Sequence, residues 1–232
     1  MPQLQHGLLQ NTDGAAALVE HASLHVRYSA GEMICQTGSY VAGIHVIQRG
    51  AVANRVATLR SGASRSCILG PGDLIGLEVL LQHGDRVAAS QVRALTDVEL
   101  QFLATGELHA ALSDDAAIAH AVMERLAAQY FRMQQLLDAS TSDEDALLHL
   151  LLQLAAACGR TATTGRVVLP RSVDRAALCE LSGLSPRRLR RVLDDVASLR
   201  IDNADVSFDP EDVRRRWQSS SDRTSAARAS LP

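Results

Sequence analysis

The first half of the chain alternates short apolar segments with turn residues. Residues 43–48, 51–57 and 66–69 are rich in β-branched and small apolar side chains, and glycines separate them. Short strands about 8–12 residues apart, punctuated by glycines, are typical of an antiparallel β-barrel or a double-stranded β-roll. Segments 87–93 and 98–104 extend the pattern. The sequence therefore predicts an antiparallel β domain over residues 1–110, preceded inside that range by a helix around residues 15–21.

A different periodicity begins after residue 105 and predicts a long helix over residues 114–139. Apolar side chains recur there at steps of three and four, which defines one face of a helix. Such a stripe fits either a domain core or the seam between two helices of a dimer. Its members are Ile118, Val122, Leu126, Tyr130, Met133 and Leu137.

A break at residues 139–143 separates the long helix from a leucine-rich helix predicted over residues 143–158. Ser142 is a suitable N-cap for this second helix, with Asp145 in place of the Glu of a capping box. Gly159 ends the helix. A short strand at residues 166–169 follows, so the third region, residues 141–217, is a separate α+β domain.

The most specific local pattern lies in residues 172–198. Residues 172–182 form one predicted helix, Gly183 provides the turn, and residues 185–198 form a second helix with Ser185 as N-cap and Pro186 at its first position. Two short helices joined by a glycine-containing turn are typical of a helix-turn-helix.

The second helix of this motif has a cationic face. Arg187, Arg188, Arg190 and Arg191 precede the first acidic residue, Asp194. Arginines at the start of such a helix can contact phosphates and base edges in the major groove. The candidate DNA-binding residues are therefore these four arginines and Ser185. The alternative is a solvated arginine-rich face on an ordinary helical hairpin.

The remaining C-terminal residues complete a winged motif. Residues 199–208 can form a small β wing, and residues 210–217 are predicted to form a final helix. The tail, residues 218–232, is rich in Ser, Arg and Ala and is expected to be disordered. The predicted fold class is thus α+β: an N-terminal β-roll, a long helix over residues 111–140 and a C-terminal winged helix-turn-helix.

Composition and charge narrow the function classes. The chain has 232 residues, 23 basic residues that are all Arg, and a net charge of −3. Residues 161–232 carry 13 of the basic and 10 of the acidic residues, so positive charge is concentrated around the helix-turn-helix. No apolar run reaches the roughly 20 residues of a membrane helix. A cytoplasmic location and no membrane partner are expected, with four reduced cysteines.

The sequence lacks the usual patterns of catalytic and metal sites. The four cysteines are far apart, and no C-x-x-C or C-x-x-H pair is present. His45 has no neighbouring His and carboxylate partners for metal chemistry, and no phosphate-binding glycine loop with a following Lys occurs. No catalytic residue and no metal site are predicted, and the chain is expected not to be an enzyme.

The order of these parts resembles the Crp/Fnr family of bacterial transcription regulators. The resemblance covers residues 20–217 and is strongest at residues 28–34, at Ile-His-Val-Ile-Gln-Arg-Gly (residues 44–50) and at Leu-Gly-Pro-Gly-Asp-Leu-Ile-Gly (residues 69–76). It implies a homodimer, an effector pocket between roll and long helix, double-stranded DNA as partner and RNA polymerase as a further partner. Because palindromic DNA pairs with two-fold proteins, we interpret the long-helix stripe as a dimer seam.

The effector residues that the resemblance implies depart from those of cyclic-AMP-binding members. In those members, a Glu directly after the glycine that corresponds to Gly76 holds the ribose. This chain has Leu77 at that position, and Glu78 follows one residue later. The Arg-Ser pair that holds the phosphate is Arg86-Val87, and the Thr-Ser pair that meets the base falls at Tyr130-Phe131.

Each hydrogen bond lost from a charged partner costs about 1.5–3 kcal/mol. The pocket is therefore expected to bind cyclic AMP poorly, although Arg86 could pair with another small anionic effector. No cofactor is certain, and neither haem nor an N-terminal Fe–S cluster is expected.

The recognition helix also departs from the family pattern. The positions of the base-reading Arg, Glu and Arg correspond to Pro186, Arg187 and Arg191, and an Arg in place of Glu favours guanine over cytosine. Arg187, Arg188 and Arg191 are the expected base readers, and Arg190 is expected to contact phosphate. The lead function is a sequence-specific transcription regulator. The alternative is an effector-binding or protein-interaction module that has lost specific DNA reading.

Overall fold

The computed structural model describes residues 18–229 except for 19, 21, 58–63, 82–85, 139–141, 197 and 203–204. The chain forms two compact units. The first comprises residues 1–57 and 67–133, and the second comprises residues 58–66 and 134–232. Most of the predicted separate long-helix segment therefore belongs to the first unit.

Eight strands build two four-stranded sheets, with antiparallel pairings, in the orders β1-β8-β3-β6 and β2-β7-β4-β5. This confirms the predicted N-terminal antiparallel roll, which is a pair of open sheets and not a closed barrel. The strands are β1 (Leu24–Tyr28), β2 (Met33–Cys35), β3 (Gly43–Arg49), β4 (Val52–Ala57), β5 (Ser64–Leu69), β6 (Leu74–Ile75), β7 (Gln91–Ala94) and β8 (Val98–Ala104).

The core of the first unit lies between β3, β8 and the helices that follow the roll. Helix α1 (Thr105–Asp114) and helix α2 (Ala116–Asp138) contribute Leu108 and Ile118 to a cluster that includes Ile44 of β3. Leu18 is fully buried in the same cluster. Of the helix predicted around residues 15–21, only Leu18 and Glu20 belong to the described residues, and both are helical.

The second unit is a helical domain with a small sheet. Its helices are α3 (Asp143–Cys158), α4 (Arg175–Ser182), α5 (Pro186–Asp195) and α6 (Pro210–Ala229). Its strands are β9 (Arg160–Thr161), β10 (Val167–Val168), β11 (Arg200–Asp202) and β12 (Asp205–Phe208), paired in the order β11-β12-β10-β9. The predicted winged helix-turn-helix is confirmed, since α4 and α5 form the two-helix motif and β11 and β12 form the wing.

Helix α3 is the buried centre of this unit. Its bounds agree with the prediction, and the Ser142 hydroxyl caps it by accepting a hydrogen bond from the Asp145 backbone N–H at 3.0 Å. Leu147, Leu148 and Leu151 are fully buried. The leucine-rich composition of this segment reflects contacts with α5 and α6 on more than one face.

The prediction for the C-terminal end is wrong. Helix α6 does not end at residue 217 but continues through Ala229, where a disordered tail was expected. Its start is well defined, because Pro210 occupies the first position and the Asp209 carboxylate accepts from the Glu211 N–H at 2.9 Å. The Arg and Ala residues of the tail have high helix propensity, which polar composition alone does not reveal.

A buried histidine connects α3 to α6. His149 is 4% exposed and stacks on Trp217 with a ring-centroid distance of 5.2 Å. The Gln153 amide lies 3.3 Å from a ring nitrogen. Burial, helped by the positive charge of Arg65, lowers the pKa of His149 from 6.5 to about 4.

We expect the second unit to lose stability between pH 6.5 and pH 4 because of His149. The unfolded chain takes up this proton near pH 6.5, whereas the native state resists it down to about pH 4. Stability from the neutral ring is therefore complete above pH 6.5 and falls with pH, by about 2–3 kcal/mol at pH 4.5. Urea unfolding followed by fluorescence of Trp217, the only tryptophan, measures this change.

The variant His149→Gln should remove this part of the pH dependence. His109→Gln, at an exposed position on α1, should leave the dependence as in the original protein. An identical pH profile for His149→Gln and the original protein would contradict the assignment.

Candidate nucleic-acid interface and ligand cavity

The helix-turn-helix is held by local caps at each helix end. The Asp174 carboxylate accepts from the Ala177 N–H at 2.9 Å and begins α4, and the Ser185 hydroxyl accepts from the Arg188 N–H and begins α5. Gly183 ends α4 with φ 71°. A side chain at Gly183 would also meet the Ser64 carbonyl oxygen at 2.7 Å, so both backbone angle and space require glycine.

The buried face of α5 fixes which arginines point outward. Leu189 and Val192 are 0% and 5% exposed. Arg187 and Arg191 lie two positions before and after Leu189, and at about 100° per residue both face away from it. They therefore form the centre of the exposed face, and Arg188 and Arg190 lie on its two flanks. All four arginines are exposed.

Arg188 differs from the other three arginines because it is paired. Its Nε donates to one carboxylate oxygen of Asp143 at 2.6 Å, and its Nη2 donates to the other. This bidentate pair ties the start of α5 to the first turn of α3. None of the ion pairs between described residues engages Arg187, Arg190 or Arg191.

Arg188 is one of the expected base readers, and in this structure its guanidinium is paired with the Asp143 carboxylate. Asp143 lies 45 residues earlier in the chain, so no local pattern indicates the contact. An arginine that is hydrogen-bonded to distant residues also supports the wing. Arg166 Nη2 donates to the carbonyl oxygens of Ser198 and Ser207 at 2.7 and 2.9 Å, and thereby joins the strand β10 region to the wing.

The first unit contains a cavity of about 480 Å³ between the roll and α2. Its wall is mainly leucine, with Leu69, Leu74, Leu77, Leu80 and Leu126 as representative members. Such a volume is ordinary for a small-molecule site. Polar groups in the wall come from Glu78, Asn54, Gln129, Ser90 and Cys35.

Only part of the predicted effector pocket lines this cavity. Gly76, Leu77 and Glu78 lie in its wall. Glu78 belongs to the short 3-10 turn of residues 77–80, and its carboxylate accepts from the Ala89 N–H at 2.9 Å. Asn54 and Gln129 also lie in the wall. The sequence did not predict them, because the periodicity of a helix or a strand does not show which polar side chains face a cavity.

The other predicted pocket residues lie elsewhere. Arg86 and Val87, both described, lie outside the wall, and the carbonyl of Arg86 accepts from the Val41 N–H. Tyr130 and Phe131 are 66% and 52% exposed, so the prediction that these rings enter the pocket is wrong. Both residues lie on the side of α2 that faces away from the roll.

The predicted dimer seam is also divided between two faces of α2. Ile118 and Val122 are 1% and 3% exposed and belong to the core of the first unit, and Leu126 packs against that core. Tyr130 and Leu137 are exposed, and Met133 is half-buried. The stripe read from the sequence therefore mixes core positions with surface positions.

A continuous exposed stripe runs along α2 and shares only Tyr130 and Leu137 with the predicted seam. Its positions alternate in steps of four and three, which is the spacing of a two-helix coiled coil. Met123, Tyr130 and Leu137 are its large apolar members, with exposures of 60%, 66% and 44%. All residues of this stripe are exposed, and we call it the outer stripe of α2. It consists of Ala116, His120, Met123, Ala127, Tyr130, Gln134 and Leu137.

The cysteines and acidic residues form no obvious further centre in the described ranges. In that part of the chain, no three His, Cys, Asp or Glu side chains are grouped so that they could hold a metal ion. The four cysteines are free thiols, and burial raises the pKa of Cys67 to about 11. No helix among the described residues is both long and apolar enough to cross a membrane.

Comparisons with known proteins agree with this geometry. Residues 25–115 match the family model of the cyclic nucleotide-binding domain. No curated protein matches the chain by sequence.

Three solved structures illustrate the likeness over more than four fifths of the chain. A Crp/Fnr-family transcriptional regulator from Thermus thermophilus has a TM-score of 0.62 at 20% identity, over 84% of this chain and 98% of that one. The cyclic-di-GMP-responsive global regulator CLP of Xanthomonas campestris has a TM-score of 0.63 at 20% identity, over 84% and 97%. FixK2 of Bradyrhizobium japonicum has a TM-score of 0.63 at 17% identity, over 83% and 96%.

The first unit is therefore a cyclic nucleotide-binding-type domain, and the second is a winged helix-turn-helix. Together they have the fold of the Crp/Fnr family of transcriptional regulators, which confirms the resemblance seen in the sequence.

Proposed function

We propose that this protein is a sequence-specific DNA-binding transcription regulator of the Crp/Fnr type, acting as a homodimer in the cytoplasm with RNA polymerase as a partner. The observation that carries the proposal is the outer face of α5. Arg187 and Arg191 project there from a capped helix, opposite Leu189. Arginine keeps its charge at all physiological pH values and matches the O6 and N7 of guanine bidentately.

The roles of the four arginines differ in this proposal. Arg187 and Arg191 read bases, and Arg190, on the flank, contacts phosphate. Arg188 has a structural role, because reaching DNA would require it to leave the bidentate pair with Asp143. The pair instead orients α5 against α3, and so determines the angle at which Arg187 enters the groove.

The outer stripe of α2 is the proposed dimer seam. Its large apolar side chains, Met123, Tyr130 and Leu137, are exposed on one face with coiled-coil spacing. A second copy of the same helix is the natural partner for a stripe of this kind, because a two-fold interface is self-complementary. A two-fold dimer also fits the two half-sites of a palindromic DNA site.

The effector pocket is proposed to be unsuited to cyclic AMP. Leu77 stands at the position of the ribose-binding Glu, and neither Arg86 nor any other arginine among the described residues belongs to the cavity wall. Without a cation, the cyclic phosphate would be buried next to Glu78. The cost of burying an unpaired charge opposes binding.

Selection of fragmented genomic DNA on the purified protein tests the regulator proposal. At about 0.15 M salt, where non-specific phosphate binding is weakened, we expect one palindromic motif with half-site centres about one helical turn apart. If the protein is folded and dimeric but no motif is recovered, with or without added effectors, the result favours the alternative of a module that has lost specific DNA reading.

The variant Arg187→Ala should weaken binding to the selected site by about 1–3 kcal/mol and relax preference at one position of each half-site. Arg190→Ala is the matched control, and it should weaken all sequences to a similar degree. Competition against single-base-pair variants of the site, read by fluorescence anisotropy, separates the two effects. If Arg187→Ala lost the same binding free energy on every DNA sequence, Arg187 would contact only phosphate.

The variant Ala127→Arg should convert dimers to monomers, because two-fold symmetry would bring like charges together at the seam. Ala110→Arg places the same side chain at an exposed position of α1 and should leave the dimer intact. Sedimentation velocity gives the oligomeric state of both. If Ala127→Arg remained dimeric, the outer stripe would not be the dimer interface.

A further inference from the structure

The start of β5 lies on the turn of the helix-turn-helix. A Cβ atom at Gly183 would lie 2.7 Å from the Ser64 carbonyl oxygen and 3.6 Å from Cγ of Arg65. Ser64 and Arg65 belong to the second unit, as the helix-turn-helix does. The aliphatic stem of Arg65 therefore packs beside the turn that leads into the recognition helix α5, although Arg65 itself is part of a strand.

The charge of Arg65 acts on three ionisable groups of the second unit. Burial lowers the pKa of Arg65, the Asp143 carboxylate raises it, and the Arg188 guanidinium lowers it. The positive charge of Arg65 also helps to lower the pKa of His149. Arg65 is thus attracted by Asp143 and repelled by Arg188, so two arginines lie near one carboxylate.

That carboxylate is engaged by Arg188 in this structure. Asp143 accepts from Nε of Arg188 at 2.6 Å, and its other oxygen accepts from Nη2. The side chains of Arg188 and Asp143 are 56% and 25% exposed. Ion pairs with this much exposure contribute little net free energy. A second arginine nearby can therefore change how often the pair is formed.

We propose that Arg65 competes with Arg188 for the Asp143 carboxylate and so controls how firmly α5 is held against α3. When Asp143 pairs with Arg188, the first turn of α5 is tied to α3. When Asp143 pairs with Arg65, Arg188 is released and α5 loses this tie. Arg65 is thus a positioning residue that acts through Asp143. Its effect on DNA rests on the proposed function, in which the pair orients Arg187, but the competition itself requires no DNA.

The test measures the coupling between Asp143 and Arg188 with and without the competing arginine. Urea unfolding, followed by the fluorescence of Trp217, is compared for Asp143→Asn, Arg188→Gln and the double variant, both with Arg65 and in the Arg65→Gln background. Fixed charges interact pairwise, so a rigid cluster gives the same coupling in both backgrounds. Exchange of partners makes the coupling larger without Arg65, because Arg65 can no longer replace Arg188.

We expect this coupling, expressed as a ratio of unfolding equilibrium constants, to rise by about 2- to 5-fold in the Arg65→Gln background. Arg171→Gln is the matched control. It removes an exposed arginine of the same unit that pairs with a different carboxylate, that of Asp205, and it should leave the coupling unchanged. Arg65→Met, which keeps an unbranched stem beside the turn, replaces Arg65→Gln if that variant does not fold. A coupling that is unchanged or smaller without Arg65 would overturn the proposal.

Binding to the selected DNA site measures the consequence for the recognition helix. Arg65→Gln should bind about 2-fold more tightly for each half-site, because the pair that orients α5 is formed more often. The loss of a positive charge ordinarily weakens DNA binding, so Arg171→Gln should not bind more tightly. Unchanged or weaker binding of Arg65→Gln would overturn the control of DNA reading by Arg65. If none of these proteins selects a DNA motif, the proposed function fails, and the coupling still decides whether Arg65 competes with Arg188.

Discussion

The first unit depends on how α2 is fixed against the turn that precedes β6. Asp73 in that turn forms a largely buried ion pair with Arg132 of α2, with side-chain exposures of 9% and 17%. Gly72, beside it, leaves room for the guanidinium of Arg125, which a Cβ would approach to 3.1 Å. Removal of either partner of a buried pair leaves an uncompensated charge, at a cost of about 3–5 kcal/mol. The pair therefore holds α2 at one rotation, with Gln129 towards the roll.

That rotation makes one face of α2 part of the core and leaves the other face exposed. The sequence alone did not show which apolar residues belong to which face. Ile118 and Val122 are apolar because they complete the core of the roll, whereas Met123 and Tyr130 are apolar on the outside. Both sets repeat at steps of three and four, so periodicity predicts an amphipathic helix without deciding which stripe faces the protein. The predicted seam therefore combines positions from both faces of the helix. Only the roll, packed against Ile118, determines the inner face.

Local chemistry was easier to predict than contacts over a distance. The caps at Ser142 and Ser185 and the left-handed turn at Gly183 depend on a few neighbouring residues, and the structure contains each of them. The pair between Arg188 and Asp143 joins residues far apart in the chain, so the partner of one expected base reader could not be seen in the sequence. Fold and motif were thus predictable, but the partners of individual charges required the packed structure.

The cavity of the first unit and the proposed dimer seam share the same turns of one helix. Leu126 and Gln129 line the cavity, and Ala127 and Tyr130, each the next residue, belong to the outer stripe. A ligand that fits the cavity better at one rotation of α2 than at another must bias the seam by the same free energy, and dimer formation must bias ligand affinity in return. Because the Asp73–Arg132 pair already favours one rotation, the ligand has to stabilise either that arrangement or a competing one.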